Sequence, residues 1–225
     1  MKPRICATIA NESFQGLLND ICKAEEEEAD MIEIRFDFLN ESYDVEKIRA
    51  STEIPLIATN RRFEEGGRRY QKENERIKTL INSSMAGFEF IDLELSTPNL
   101  EEIADVIEEN GSKLVISFHD FNRTPEEEEF ENILNMEESF GAYICKIVGM
   151  AKTLCDNFEY LKFVSKNRSK RIICFGMGEY GIISRVLSPF FGAYLTFASV
   201  SEDKKGAPGQ ISISKIRSIY RCLES

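Results

Sequence analysis

The chain has 225 residues, of which 42% are hydrophobic, and a formal net charge of −11. This size and composition are typical of a soluble globular protein with enough chain for one large core. The acidic balance argues against a nucleic-acid partner, which requires a basic face, and no apolar stretch approaches the ~20 residues that cross a membrane.

The cysteine and histidine content argues against a metal centre. Six cysteines form no Cys-x-x-Cys pair, and the chain has one histidine, so we expect no zinc site. Residues 1–4 lead directly into a predicted strand. We therefore expect no secretory signal peptide and a reducing, cytoplasmic location.

Eight β-rich runs alternate with helical patterns along the chain. The predicted strands are Arg4–Ala10, Met31–Phe38, Pro55–Thr59, Phe88–Leu93, Lys113–Phe118, Ala142–Val148, Arg171–Phe175 and Ala193–Phe197. Helical patterns follow at about residues 14–28, 44–51, 70–84, 98–110, 125–140, 152–166, 180–187 and 211–223. Eight βα units at a spacing of ~25–30 residues predict a single-domain (β/α)8 barrel over residues 1–225. An open doubly wound sheet is the alternative, but the first predicted βα turn lacks its glycine fingerprint.

Local signals predict several helix ends. Thr124 and Pro125 form an N-cap followed by proline at the first helical position, and Thr97 with Pro98 repeats that pattern. Asn110–Gly111 predicts a helix end at a residue that tolerates left-handed geometry.

Lys146 is the most informative residue, because it interrupts the apolar run 142–150. An ammonium group removed from water is costly, so we expect such a lysine to find a partner or to lose its proton. An uncharged amine can attack a ketone and form a Schiff base. The alternative interpretation is a strand-end lysine whose head reaches water.

Charged side chains also interrupt the second predicted strand. Glu33, Arg35 and Asp37 alternate with apolar residues, so all three are predicted to point into the barrel. Such charges are costly unless they pair or bind a ligand, and a structural ion-pair ladder is the alternative. Arg61 follows the third predicted strand and suits an anion or hydroxyl site.

Three further features lie at the predicted carboxyl ends of strands, where barrel enzymes carry their chemistry. His119 ends the fifth strand beside Asp120 and is close enough to the sixth to act on a ligand of Lys146. Arg185 lies near the start of a helix, where the helix dipole disfavours a cation, so a carboxylate ligand is a plausible reason for it. Residues 199–210 have the polar, glycine-containing composition of a mobile lid.

Taken in order, these motifs resemble the type I 3-dehydroquinate dehydratases of the shikimate pathway, over essentially the whole chain. The resemblance rests on Glu33-x-Arg35-x-Asp37, Thr59-x-Arg61, Glu65-Gly66-Gly67, Ser117-x-His119-Asp120-Phe121, Lys146, Met177-Gly178-x-x-Gly181-x-x-Ser184-Arg185, Thr196-Phe197-Ala198 and Ala207-Pro208-Gly209-Gln210.

The resemblance implies a cofactor-free dehydration of 3-dehydroquinate to 3-dehydroshikimate. Lys146 would form an imine with the C3 ketone, His119 would act as general acid and base, and Glu65 would orient the histidine. The implied binding residues are Arg185 for the substrate carboxylate, Glu33, Arg35 and Arg61 for hydroxyl groups, Gln210 from the lid, and Thr8, where the family often has serine.

One position departs from the family pattern. The family usually has serine directly before Ala-Pro-Gly-Gln, where its hydroxyl contacts substrate, whereas this chain has Gly206. Either the Gly206 backbone amide replaces that contact or the lid binds more weakly.

Two other functions compete with the dehydratase. A Schiff-base aldolase acting on a sugar phosphate would use Gly178 and Gly181 as a phosphate cradle. A non-enzymatic barrel would lose nothing on removal of His119. The family resemblance also implies a homodimer, and Phe190–Phe191 could belong to its interface or to ordinary packing.

Overall fold

A computed structural model describes residues 2–201 and 206–224 of the chain. These residues form eight parallel strands in a nearly closed barrel with eight α-helices. The strands are β1 (Ile5–Ile9), β2 (Met31–Arg35), β3 (Leu56–Thr59), β4 (Phe90–Glu94), β5 (Lys113–Asp120), β6 (Ile144–Met150), β7 (Ile172–Met177) and β8 (Thr196–Ser199). The helices are α1 (Phe14–Glu26), α2 (Val45–Arg49), α3 (Glu73–Met85), α4 (Leu100–Glu109), α5 (Glu127–Ser139), α6 (Asp156–Lys166), α7 (Ile182–Phe191) and α8 (Ile213–Glu224).

The strand order confirms the predicted (β/α)8 barrel. The strands follow one another as β7-β6-β5-β4-β3-β2-β1-β8, and every adjacent pair is parallel. The Tyr194 amide, just before β8, donates to the Ile172 carbonyl on β7 across the remaining gap. Because β8 pairs with β1 and approaches β7, the strands follow the sequence around a ring, whereas a doubly wound sheet is open at two edges.

Side-chain alternation divides each strand between two surroundings. Residues such as Ile5, Ile32 and Ile34 pack outward in the large apolar cluster that includes helix residues. The inward positions nearer the strand starts form an apolar floor: Cys6, Met31, Ile57, Phe90, Val115, Ile144, Ile173 and Phe197 all belong to one buried cluster. Above that floor the inward positions of the strands carry both polar residues, such as Glu33, Asp92 and Lys146, and apolar ones, such as Val148, Phe175 and Met177.

Every strand differs from its predicted bounds by one to three residues at one end or both, and the largest differences are in the second and the last strand. The second strand ends at Arg35, and Phe36–Phe38 form a short 3-10 helix, so Asp37 reaches the interior from beyond the strand. The last strand begins at Thr196, three residues later than predicted. Ala193 follows Gly192, the C-cap of α7, and is held to the helix end because its amide donates to the Ser188 carbonyl.

Two predicted helix starts were also wrong by two residues. The N-cap of α5 is Glu126, whose side chain forms a reciprocal capping box with Glu129, and Pro125 lies before the helix. The N-cap of α4 is Asn99, at a φ of 54°. Asn110 is the C-cap of α4 and Gly111 follows at a φ of +88°, as predicted.

Candidate active site

A cavity of about 540 Å³, including its open mouth, lies at the carboxyl ends of the strands. All ten predicted site residues line it: Thr8, Glu33, Arg35, Arg61, Glu65, His119, Lys146, Arg185, Gly206 and Gln210. Phe121, Val148, Phe175, Met177, Phe197 and Pro208 supply apolar walls. The structure therefore brings together in one cavity side chains from six strands and the loops that follow them.

Lys146 points into the barrel from β6 and is 5% exposed. Its Nζ donates to Asp92 Oδ2 at 2.8 Å and lies 3.7 Å from Glu33 Oε1. The same nitrogen lies 4.6 Å from the centroid of the Phe197 ring. The interpretation of a strand-end lysine reaching water is therefore wrong. A buried lysine was expected either to find a partner or to lose its proton, and in the structure Lys146 has Asp92 as its partner.

Asp92 is the functional residue that the sequence interpretation missed. Its carboxylate accepts hydrogen bonds from Lys146, Arg61 and Ser117, the last at 2.6 Å. Burial alone would raise the pKa of Asp92, but the charges of Arg61 and Lys146 outweigh burial and bring the pKa below its ordinary value of 3.8. Asp92 lies two residues after Phe90, on the same face of the predicted strand Phe88–Leu93, and a carboxylate at that position was the signal that could have found it.

Arg61 is buried next to the pair formed by Lys146 and Asp92. Its guanidinium donates to Asp92 at 2.8 Å, to Glu94 at 2.9 Å and to Ser117 at 2.7 Å. Burial lowers the pKa of this guanidinium, but the Asp92 and Glu94 carboxylates raise it above the ordinary value. Protein carboxylates therefore occupy much of the donor capacity that was predicted for substrate hydroxyl groups.

Glu33 and Arg35 both point inward, as predicted, and both are held by protein groups. Glu33 accepts from Thr8 and from Thr59, each at 2.9 Å. Arg35 forms a two-bond pair with Asp37, at 2.8 and 2.7 Å. Burial would raise the pKa of Asp37, but Arg35 outweighs it and lowers the pKa. The ion-pair ladder is thus present for Arg35 and Asp37.

His119 lies at the end of β5, and its partner is Glu65 rather than the neighbouring Asp120. His119 Nδ1 is 3.1 Å from Glu65 Oε2, whereas Asp120 accepts from backbone amides in the following turn. Burial, together with the charges of Arg61 and Lys146, holds the pKa of His119 well below 6.5. The imidazole is therefore neutral at neutral pH, the form that can accept a proton.

Glu65 is presented by a tight turn. It ends a 3-10 helix, Phe63–Glu65, which Gly66 closes at a φ of +84°. A Cβ on Gly66 would lie 2.3 Å from Phe121, so glycine is needed there for space as well as for backbone geometry. Burial raises the pKa of Glu65 above its ordinary value, although hydrogen bonding from Ser96 opposes the shift.

Arg185, on α7, is a buried cation with spare donors. It is 1% exposed, and its Nη2 donates to the Pro208 carbonyl at 3.1 Å. Its Nε has no hydrogen-bond partner among the residues that the structure describes. Burial lowers the pKa of Arg185 to about 9, with Glu33 opposing the shift. An anionic ligand in the cavity would meet the unused donors and the uncompensated charge.

The family-model comparison covers almost the whole chain. A model described as type I 3-dehydroquinase matches residues 5–225. The chain belongs to the type I 3-dehydroquinase family. A relative named 3-dehydroquinate dehydratase, from Methanococcus maripaludis, is 35% identical over 222 residues, which are 98% of this chain and 100% of the relative.

Solved structures of the family have the same architecture. The structure of 3-dehydroquinate dehydratase from Geobacillus kaustophilus matches with a TM-score of 0.90 at 28% identity, covering 100% of this chain and 92% of that one. A type I 3-dehydroquinate dehydratase from Clostridium difficile, with covalently modified comenic acid, matches with a TM-score of 0.87 at 28% identity, covering 98% and 92%. Because the chain belongs to this family, we no longer consider the two competing hypotheses, a Schiff-base aldolase and a non-enzymatic barrel.

The glycine-rich turn after β7 contacts the last loop of the barrel. Gly209, at a φ of +73°, packs so closely that a Cβ would lie 2.3 Å from the Gly178 carbonyl oxygen. Gly178 also donates to the Pro208 carbonyl at 3.4 Å. The lack of side chains at Gly178 and Gly209 therefore allows the turn after β7 and the loop after β8 to pack backbone against backbone. Of the predicted lid 199–210, residues 202–205 lie outside the described part of the chain.

Other expectations concern metals and membranes. Within residues 2–201 and 206–224, no group of three or more His, Cys, Asp or Glu side chains could hold a metal ion. Over the same ranges, the helices are too short or too polar for one of them to cross a membrane.

Proposed function

We propose that this protein is a hydro-lyase that dehydrates 3-dehydroquinate to 3-dehydroshikimate in the shikimate pathway, through a Schiff base on Lys146 and without a cofactor. The observation that carries the proposal is the buried Lys146, which shares one cavity with a neutral His119 and with the spare donors of Arg185. Family membership and the names of the relatives support the substrate.

The first step forms a carbon–nitrogen bond between Lys146 and the C3 ketone. The ammonium must first give up a proton, and Asp92, Glu33 and His119 are the groups that face it. His119 takes that proton, and attack by the free amine gives a carbinolamine. His119 then returns the proton to the carbinolamine hydroxyl, which leaves as water and yields the protonated imine. The covalent modification named for the Clostridium difficile structure is consistent with this step.

The imine then acts as an electron sink for the elimination. A protonated imine withdraws electrons from C2, so the C2 proton becomes acidic enough for the His119 imidazole to accept it. The resulting imidazolium protonates the C1 hydroxyl, which leaves as water while the C1–C2 double bond forms. Hydrolysis of the imine releases the product and restores Lys146.

Asp92 contributes electrostatically throughout the cycle. It bonds to Lys146 Nζ at 2.8 Å, and it stays ionised because Arg61 also pairs with it. The ammonium and the iminium carry the same charge, so Asp92 stabilises both without reorganisation. Arg61 supports this arrangement from below, in addition to the hydroxyl contact proposed for it.

The remaining polar groups would orient the substrate. Arg185 would bind the C1 carboxylate, since among the described residues nothing accepts from its Nε and its guanidinium lies over the Phe175 ring. The hydroxyl groups would be bound by Glu33, Arg35 and Arg61, with Thr8 nearby, and the lid 199–210 would close over the ligand through Gln210.

We also propose that the protein acts in the cytoplasm as a homodimer. Phe190 and Phe191, at the end of α7, are 39% and 42% exposed, which is consistent with an interface. Phe190 also packs edge-on against Tyr220, 5.0 Å between ring centroids, so Phe191 is the better residue to test. Sedimentation of the wild type and of Phe191→Glu gives the oligomeric state directly.

The test of the activity is the ultraviolet absorbance of the conjugated enone product. Wild-type protein mixed with 3-dehydroquinate should show a steady rise in absorbance, and Lys146→Met should show none under conditions in which its circular dichroism shows that it is folded. No absorbance change with folded wild-type protein would end the proposal.

A further inference from the structure

The space beside Gly206 is filled by a methyl group of Thr8. A Cβ built on Gly206 would lie 2.6 Å from Thr8 Cγ2, closer than real Cβ atoms approach another heavy atom. Its next neighbours, Gln210 Oε1 at 3.5 Å and Arg35 Nη1 at 3.6 Å, are at ordinary contact distances. The φ of Gly206 lies outside the left-handed region, so the backbone itself accepts a side chain. Thr8 is therefore the main obstacle to one.

Thr8 cannot turn its methyl group away at little cost. Its hydroxyl donates to Glu33 Oε2 at 2.9 Å and accepts from Gln210 Nε2 at 2.8 Å. The residue is 1% exposed, so a rotation about χ1 would break both bonds where no solvent replaces them. The two hydrogen bonds fix the methyl group against Gly206.

Both backbone polar groups of Gly206 form hydrogen bonds with side chains of the protein. Its amide donates to Gln210 Oε1 at 2.7 Å, and its carbonyl accepts from Arg35 Nη1 at 2.9 Å. The amide is thus directed at Gln210 and is not free to replace a serine hydroxyl. A continuous chain of hydrogen bonds instead joins Glu33, Thr8, Gln210, Gly206 and Arg35.

We propose that Thr8 and Gly206 are a size-matched pair, and that Thr8 is a positioning residue that sets how segment 206–210 closes on the barrel. Its methyl group requires glycine at position 206, and its hydroxyl orients Gln210 and Glu33 toward the cavity. This inference rests on the proposed function for its kinetic consequences only. It implies that a side chain at position 206 becomes acceptable once the Thr8 methyl group is removed.

A double-mutant cycle tests the pairing. The variants are Gly206→Ser, Thr8→Ser and the double substitution, with Gly206→Ala as a version that adds the Cβ without a hydroxyl. In protein that keeps Thr8, we expect either substitution at position 206 to raise KM about tenfold. In protein that carries Thr8→Ser, the same substitution should raise KM less than about twofold, since contacting residues couple by about this much. The thermal unfolding midpoint should follow the same pattern.

The outcomes separate the alternatives. An equal rise of KM in the two backgrounds would overturn the pairing. Coupling that lowers kcat and the unfolding midpoint but leaves KM unchanged would indicate a smaller folded fraction and would overturn the positioning role. The unfolding midpoints need no substrate, so the size match remains testable if wild-type protein proves inactive, and that result would contradict the proposed function alone.

Discussion

Lys146 Nζ and Asp92 Oδ2 lie 2.8 Å apart inside the barrel, with side chains that are 6% and 0% exposed. Both residues are inward-facing, on β6 and β4, and the intervening strand β5 carries Ser117 and His119. The reacting amine is therefore paired with a carboxylate that two cations keep ionised. An imine formed at Lys146 Nζ would lie next to the same Asp92 carboxylate.

Removing the Asp92 charge should impair both stability and catalysis. Asp92→Asn leaves Lys146 and Arg61 without their shared carboxylate, and breaking a buried pair in this way costs about 3–5 kcal/mol. We expect a loss of that order in the free energy of unfolding by urea, with a fall in kcat of at least about a hundredfold. Asp105→Asn, at an exposed position on α4, is the matched control and should alter neither quantity.

The acid limb of the pH–rate profile should lie at unusually low pH. The pKa of His119 is held well below 6.5, so the imidazole remains a competent base as pH falls through that value. We expect kcat/KM to be nearly constant from about pH 8 down to about pH 6.5, where a free imidazole would already be half protonated. An acid limb centred at or above that point would contradict the electrostatic description of His119.

Arg185 should matter for substrate binding and little for the stability of the free protein. Arg185→Met should raise KM by about ten- to a hundredfold, since a hydrogen bond to a charged group contributes about 1.5–3 kcal/mol. The unfolding midpoint without substrate should not fall, because the Arg185 Nε has no partner among the described residues. A variant that loses stability but binds normally would assign Arg185 a structural role.

Much of the site could be predicted because strand alternation determines which way a side chain points. That period-two pattern placed Glu33 and Arg35 inside the barrel, as the structure has them, whereas Lys146 was found as a cation in an apolar run and His119 by its position at a strand end. Alternation does not determine which neighbour a side chain selects. Glu65 reaches His119 only because Gly66 turns the loop through a left-handed conformation, and no pattern in the sequence gives that turn.

Asp92 shows a different limit of the sequence interpretation. Its strand was predicted, as Phe88–Leu93, but the sequence of that strand does not indicate the partners of its carboxylate. Those partners, Arg61 and Lys146, lie 31 and 54 residues away along the chain. Only the closure of the barrel brings them together.

Glu137 gives a stability prediction that is independent of the activity. It is fully buried on α5, and burial raises its pKa well above 4.5. In the part of the chain that the structure describes, neither of its carboxyl oxygens has a hydrogen bond of normal geometry. The folded state thus retains a proton that the unfolded state releases at about pH 4.3, so Glu137 destabilises the fold increasingly as pH rises above that value.

Replacing Glu137 should therefore matter more at high pH. We expect Glu137→Gln to increase the free energy of unfolding relative to wild type, and the difference should be larger at about pH 8 than at about pH 5. The neighbouring Glu138→Gln, which removes a half-exposed partner of Lys170, serves as control and should show no such growth with pH. A difference that is constant with pH would mean that Glu137 is ionised in the folded state.

Trapping the covalent intermediate tests the central role of Lys146 most directly. Protein incubated with 3-dehydroquinate and sodium borohydride should gain the mass of the reduced adduct, and peptide mapping should locate that mass on the peptide that contains Lys146. Lys146→Met should gain no mass under the same conditions. An adduct on a different lysine, or full dehydratase activity in Lys146→Met, would contradict the account.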